Sequence, residues 1–195
     1  MSNVFNVVLI GNGTMATQGV DVLVGLNNIK LSLIVCDSKD DGVDSMHCLD
    51  NGVPFRMSLR KKAVELGYEE GNNLIMGRAN SKRVLEHIAS FHPDVILSLQ
   101  CRDLLSGNFL TIAKFGCLNI HNAPLPLLRG CDPFAWAVHD GLKVFGVTLH
   151  CVDLGCDSGD IVAQETFRVE DNDTAWMIFQ KSLPLSSLLL KKYLV

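Results

Sequence analysis

Three side chains in this sequence have the types and spacing to act together on a carbonyl carbon. In Leu118-Asn119-Ile120-His121-Asn122-Ala123-Pro124-Leu125-Pro126-Leu127-Leu128-Arg129-Gly130, strand geometry sends Leu118 and Ile120 to one face and Asn119 and His121 to the other. The two polar side chains then stand roughly 7 Å apart along one surface. An amide and a protonated imidazole can both donate to an oxyanion as it develops, and a histidine can move protons near neutral pH. A carboxylate beside the ring would orient it and favour its charged form. Asp157, in the turn Gly155-Cys156-Asp157-Ser158-Gly159-Asp160, is the best placed, with Asp153 and Asp160 as rivals. A plainer reading stands beside this one: a core Asn and His satisfied by backbone, and Asp157 as a turn former.

A second motif lies near the start. Val4–Ile10 reads as a strand that runs into Gly11-Asn12-Gly13-Thr14-Met15-Ala16, a G-x-G-x-x-A pattern, and Asp37 closes the next strand. Such a turn offers free N–H groups to a phosphate at a helix N-terminus. With Asp37 it also imitates a dinucleotide-binding fingerprint, which keeps an NAD(P)-dependent oxidoreductase as an alternative. A purely structural glycine turn remains open as well.

These residues need a frame that brings strand ends together. Nearly continuous apolar runs at Val4–Ile10, Ile29–Val35, Asp94–Leu99 and Cys117–Ile120 read as strands covered on both faces. Helices are expected at Thr14–Leu26, Leu59–Leu66 and Ser81–Ser90, the last capped by Ser81, and a short one at Phe134–His139 after Pro133. Val144–Val152 and Ile161–Val169, joined by the glycine-rich turn, read as an antiparallel pair. A final helix is expected from about Thr174, interrupted at Pro184 and trailing into Ser186–Leu194, with Leu183–Leu190 covering the sheet or forming a homodimer contact. The fold class is therefore α/β: a three-layer, Rossmann-like, mostly parallel sheet with helices on both faces and an antiparallel pair near the C-terminus. Residues 1–195 read as one domain.

Composition narrows the partners. Of 195 residues, 48% are hydrophobic and 19% charged, which excludes disorder and a coiled coil. No apolar run is long enough to span a bilayer. With 17 Lys+Arg against 21 Asp+Glu, the net charge is -4 and no basic stripe marks a DNA or RNA partner. The 7 cysteines form no C-x-x-C and read as reduced thiols in a cytoplasmic protein. His47-Cys48 and Cys151 with Cys156 lack structural-zinc spacing, so no metal site is expected. Trp136 and Trp176 are expected to pack in a core or interface, and His47, His87, His92 and His139 to be surface or packing residues.

Taken together, Leu118–Gly130, Gly146-Val147-Thr148-Leu149-His150 and Asp157-Ser158-Gly159-Asp160-Ile161 resemble the folate-dependent formyltransferase family, in order and spacing. The resemblance implies a catalytic trio of Asn119, His121 and Asp157. It also implies 10-formyltetrahydrofolate as co-substrate, held near Gln100, Cys101, Arg102, Leu104 and Leu105 and near Asp153, largely by backbone. A small-molecule, phosphate-bearing amine would be the acceptor, with Gly11, Gly13, Thr14 and His150 lining its site. Arg129-Gly130-Cys131-Asp132-Pro133-Phe134-Ala135-Trp136-Ala137 is similar to the tRNA and sugar branches, and Thr174–Leu190 lacks the acid of the purine branch. The branch that formylates methionyl-tRNA carries a further C-terminal domain, and a chain of this length and charge is expected to be a catalytic domain without one. A nucleotide-linked amino sugar is thus the expected acceptor, with glycinamide ribonucleotide and methionyl-tRNA as alternatives.

Overall fold

The computed structural model describes residues 4–45 and 56–194, so His47 and Cys48 lie outside the described residues. Apolar, β-branched segments form the strands β1 (Phe5–Gly11), β2 (Ile29–Cys36), β3 (Leu74–Met76), β4 (Val95–Leu99), β5 (Cys117–His121), β6 (Val144–Cys151) and β7 (Ile161–Arg168). They make one sheet in the order β3-β2-β1-β4-β5-β6-β7. All pairings from β3 to β5 are parallel, and β5–β6 and β6–β7 are antiparallel. The sequence misses β3, three residues too short to show a period.

The helices are α1 (Gly13–Val24), α2 (Leu59–Glu65), α3 (Lys82–Ser90), α4 (Gly107–Leu110), α5 (Pro133–His139) and α6 (Ala175–Tyr193). Alternate side chains of the central strands feed two cores. Val7, Leu9, Ile34, Leu97 and Leu99 pack with α1 and α6, while Val8, Ile10, Leu33, Val35 and Ile96 pack with α3 and α4. Ser81 does occupy the N-cap of α3, but its hydroxyl donates to the Arg78 carbonyl instead of capping the helix.

The expected break at Pro184 is corrected, because α6 runs unbroken from Ala175 to Tyr193. Pro184 lies on the exposed side, whereas Ser182, Leu183, Ser186, Leu189 and Leu190 are buried. Packing of that face against α1 and β6 holds the helix through the missing N–H bond. Leu183–Leu190 therefore covers the sheet.

Strand β1 lies between β2 and β4, so successive connections leave it on opposite sides. Open α/β sheets place ligands in the crevice at the carboxyl ends of such strands. Here that crevice receives the segment after β1 and the segment after β4.

Candidate active site

Both polar residues of β5 reach the carboxyl edge, and the antiparallel strand β6 supplies the wall beside them, with Asn119 opposite His150 and His121 opposite Thr148. The chain after β5 is fixed by a buried hydroxyl. Thr148 Oγ1 donates to the Ala123 carbonyl at 2.7 Å and accepts the Leu125 N–H at 3.1 Å, and Gln164 Nε2 donates both to it and to the Leu125 carbonyl. This pins the proline loop so that the Leu128 carbonyl meets His121 Nε2 at 2.8 Å.

Asp157 closes the constellation from the β6–β7 turn. Its backbone has φ 48°, a left-handed conformation uncommon outside glycine but one that aspartate adopts more readily than most residues. Oδ2 accepts the Gly130 N–H at 2.9 Å and lies 3.5 Å from His121 Nδ1, while Oδ1 lies 3.6 Å from His150 Nε2. Asp157 is thus the carboxylate that meets the histidine. Asp153, its rival, takes up Ser158 and the Gly155 N–H.

His150 is buried, and its tautomer follows from its partners. Nδ1 faces the Cys151 carbonyl at 2.8 Å and must carry the hydrogen, which leaves a lone pair on Nε2. Asn119 Nδ2, 3.0 Å away, therefore donates to it. Desolvation by burial holds the His150 pKa below the usual histidine value, against the opposing pull of Cys151 and Asp157, so the ring is neutral at neutral pH. The geometry orients the Asn119 amide and leaves its second N–H uncommitted. His121 differs, since both its ring nitrogens face acceptors, Leu128 O and Asp157 Oδ2.

These groups stand in a cavity of about 1000 Å³. Gln100, Cys101, Arg102, Leu104, Leu105 and Asp153 line it, as do Gly13, Thr14 and His150. Gly11 does not. It packs against β4, where a Cβ would fall 2.3 Å from the Leu99 carbonyl, and it borders a smaller cavity. Gln100 Oε1 accepts the Met15 N–H at the start of α1, and the Thr14 hydroxyl accepts from Met57 N. The sequence missed Asn12, Ser98 and Arg56 among the lining residues, together with the apolar wall of Phe134, Trp176 and Phe179. Only Asn12, at the N-cap of α1, carried a signal that could have found it.

Trp136 is 53% exposed and meets His139 edge-on, so of the core or interface expected for it the core is excluded. Cys36 and Cys117 are buried, but Cys131, Cys151 and Cys156 are exposed, and all six described cysteines are free. Burial pushes the Cys101 thiol up to about 11, so it faces the cavity as a neutral group. Among the described residues no cluster of three or more His, Cys, Asp or Glu could hold a metal. No described helix is long and apolar enough to cross a membrane.

A sheet that reverses its strand order beside an Asn–His–Asp cluster defines an α/β protein whose ligand chemistry sits at the carboxyl edge. The family model described as "Formyl transferase" matches residues 5–191, and the chain belongs to that family. It is 37% identical over 117 residues to GDP-perosamine N-formyltransferase of Brucella melitensis, covering 60% of this chain and 45% of the relative. It is 34% identical over 113 residues to methionyl-tRNA formyltransferase of Clostridium tetani, covering 58% and 36%. The matched stretch thus spans less than half of either curated relative. Among solved structures, glycinamide ribonucleotide transformylase 1 of Symbiobacterium toebii shares the fold at TM-score 0.79 and 19% identity, over 98% of this chain and 86% of that one. WlaRD, a sugar 3N-formyl transferase crystallised with dTDP and 5-N-formyl-THF, does so at TM-score 0.71 and 20% identity, over 98% and 62%.

Proposed function

We propose that this chain transfers a formyl group from 10-formyltetrahydrofolate to the primary amine of a nucleotide-linked amino sugar. The observation that carries the reading is the convergence of Asn119, His121, His150 and Asp157 at one end of the large cavity. When bound, the folate supplies the formyl carbon: a C–N bond forms to the acceptor amine, the C–N bond to the folate breaks, and the amine's proton passes to the folate nitrogen. The cavity fits such a co-substrate. Leu105, Val152 and Phe134 offer apolar wall to a flat ring, and the backbone of Gln100–Leu105 and of the Asp153–Asp157 turn offers polar edges.

The chain's own groups divide the work. The free N–H of Asn119 stabilises the negative charge that develops on the formyl oxygen. His121, whose ring nitrogens face Leu128 O and Asp157, stands beside it as a group able to relay a proton. Asp157, held by Gly130 N, keeps that ring aligned and takes part in moving the amine proton. Arg56 and Arg102 line the cavity together with Gly13 and Thr14, so a phosphate there would meet their charge as well as the N–H groups at the start of α1.

Three observations favour the sugar-nucleotide acceptor. The 37% identical relative is named for one. The residues that α6 gives to the cavity are Ala175, Trp176 and Phe179, without the carboxylate implied for the purine branch. The net charge of -4 opposes a tRNA acceptor.

The test is a formyl-transfer assay that follows tetrahydrofolate release with GDP-linked amino sugar, glycinamide ribonucleotide and methionyl-tRNA in turn, beside calorimetry with 5-formyltetrahydrofolate. The expected result is folate binding and transfer to the sugar nucleotide. Folate binding with transfer only to one of the other amines would replace the acceptor, and absence of folate binding would sink the whole reading.

A further inference from the structure

Asn122 follows His121 directly, and nothing in the mechanism above uses it. Its side chain is buried, at 7% exposure, yet it lines the large cavity. Strand alternation explains its direction. Asn119 and His121 face one side of the sheet and Ile120 packs on the other with α1 and α6, so Asn122 turns to the side of Ile120. The contact it makes with Ser186 of α6 agrees with that direction.

The cavity straddles the edge of the sheet. On one side its apolar wall is Cys101, Leu105 and Val152, from the core shared with α3 and α4. On the other it is Met15, Trp176 and Phe179, from the core shared with α1 and α6. The first side carries the backbone edges that suit the folate, so an amine attacking the formyl carbon enters from the second. There α6 contributes only Ala175, Trp176 and Phe179, none of whose side chains accepts a hydrogen bond. Asn122 is the polar side chain where that wall meets His121.

Two serines of α6 decide which end of the amide faces the cavity. Ser186 Oγ lies 3.4 Å from Asn122 Oδ1 and 3.1 Å from the Ser182 carbonyl, and Ser182 Oγ donates to the Phe179 carbonyl at 2.6 Å. A hydroxyl has one hydrogen, so Ser186 cannot donate to both of its neighbours. The nearer Ser182 carbonyl takes it, a back-bond that serines in helices commonly make. Ser186 then offers Asn122 only lone pairs, and the amide meets them with its NH2 group, because its oxygen and nitrogen ends follow the network that satisfies them. That orientation turns Oδ1 to the cavity, where Asn122 has no other hydrogen-bond partner among the described residues.

We propose that Asn122 is a further catalytic residue: its Oδ1 accepts one N–H of the attacking amine and aims the nitrogen lone pair at the formyl carbon. The inference deepens the formyl-transfer reading above and rests on it, but holds whichever amine is the acceptor. As the new C–N bond forms, the nitrogen gains positive charge and its N–H becomes a stronger donor, so the bond to Asn122 tightens in the transition state. The proton that passes to the departing folate nitrogen is the other one, and the N–H held by Asn122 stays on the product amide. Asn122 itself gains and loses no proton. A neutral amide suits this step better than a carboxylate, which would hold the bound amine as an unreactive ammonium.

The experiment compares steady-state formyl transfer by the unmodified chain, Asn122→Ala and Asn122→Asp from about pH 6 to 9. The acceptor is whichever of a GDP-linked amino sugar, glycinamide ribonucleotide and methionyl-tRNA supports turnover. Calorimetry with 5-formyltetrahydrofolate runs in parallel, and unchanged affinity shows that the variants fold. Asn122→Ala is expected to lower kcat about 10- to 100-fold, the worth of a hydrogen bond to a charged group. Asn122→Asp keeps an acceptor of the same size, but its carboxylate should move the acid limb of the kcat profile up by about one pH unit or more, because the bound amine must lose a proton before it attacks. His121, His150, Asp132 and Asp157 line the same cavity and are common to all three proteins, and α1 and α6 present no titratable side chain to it. Turnover in Asn122→Ala within about threefold of the unmodified chain, or an acid limb that Asn122→Asp leaves in place, would overturn the role. Should Asn122→Ala not fold, the profile of Asn122→Asp decides alone. Turnover with none of the three amines refutes the formyl-transfer reading itself, whereas turnover indifferent to position 122 refutes this role and leaves that reading standing.

Discussion

At the scale of single residues, the informative contrast is between two histidines beside one carboxylate. His121 and His150 both approach Asp157, at 3.5 and 3.6 Å, yet their other nitrogens meet different demands. His150 gives its only hydrogen to the Cys151 carbonyl and its lone pair to Asn119, so the role expected of it is to position the Asn119 amide. Removing the amide in Asn119→Ala should cost about 2.7–4 kcal/mol of transition-state stabilisation, read as a drop of about 10²–10³ in kcat. Replacing His150 by Ala should lower kcat with KM for the folate nearly unchanged. His150→Gln, which keeps an acceptor for Asn119, should restore much of the loss, and equal activity in all three proteins would refute the positioning role. The sign of the pH effect follows from burial. The folded His150 pKa is held down, so the unfolded chain takes up the proton first as pH falls. This contribution to stability is complete above about pH 6.5 and is lost as pH drops through the lowered folded value. Urea midpoints measured from pH 8 to 5 should decline below 6.5, and less so in His150→Gln.

At the scale of elements, stability and reactivity meet in the loop that follows β5. The Thr148 hydroxyl holds both the Leu125 N–H and the Ala123 carbonyl, so Thr148→Val leaves a buried donor unsatisfied and should cost about 1–3 kcal/mol. Because the same loop carries Leu128 O and Gly130 N to His121 and Asp157, the variant should also lose turnover. A stability loss with full turnover would separate the two roles. Pro184 offers the opposite experiment: it is exposed within α6, and Pro184→Ala restores a helix hydrogen bond and should raise stability by roughly 1–3 kcal/mol. For a chain of this size that is a gain of about 2–4 °C in Tm per kcal/mol. This proline also shows why part of the fold was not legible. Local propensity signals a break there, and only the buried face against α1 and β6, a tertiary fact, overrides it. The parallel strands were legible because burial on both faces leaves unbroken apolar runs; strand alternation put Asn119 and His121 on one face but left Asp157 with Asp153 and Asp160 as rivals, and the trio itself was implied only by the family resemblance. His150 could be placed near the site but its link to Asn119 could not, since cross-strand pairing is invisible along the chain. The aromatic wall of Phe134, Trp176 and Phe179 escaped because lining residues are chosen by shape, and apolar side chains look alike whether they face a core or a cavity.

At the scale of the whole molecule, the charge distribution decides how the chain meets nucleic acid. Its longest basic run, Arg60-Lys61-Lys62, is neutralised in place: Arg60 pairs with Glu70, Lys61 with Asp44 and Lys62 with Asp21. Lys192 near the C-terminus pairs with Glu165 and Lys82 with Glu86. Lys39, Arg78 and Arg102 lie around a cavity of about 320 Å³ at the sheet's carboxyl edge, while Lys30, Arg83, Lys114, Arg129 and Lys191, which make no ion pair among the described residues, are single cations spread along the chain and not a basic run. Phosphate binding by a polymer grows with the number of contacts and falls steeply with salt, about 0.9 in log–log slope per duplex phosphate neutralised. One nucleotide held in a cavity has a shallow slope by the same law. Bulk tRNA added at low ionic strength should therefore leave formyl transfer to a nucleotide-linked amine unchanged, and raising salt should weaken that acceptor only gently. Inhibition by tRNA that vanishes steeply with added salt would mean that a phosphate-binding face exists outside the sheet edge, and the small-acceptor reading would have to give way.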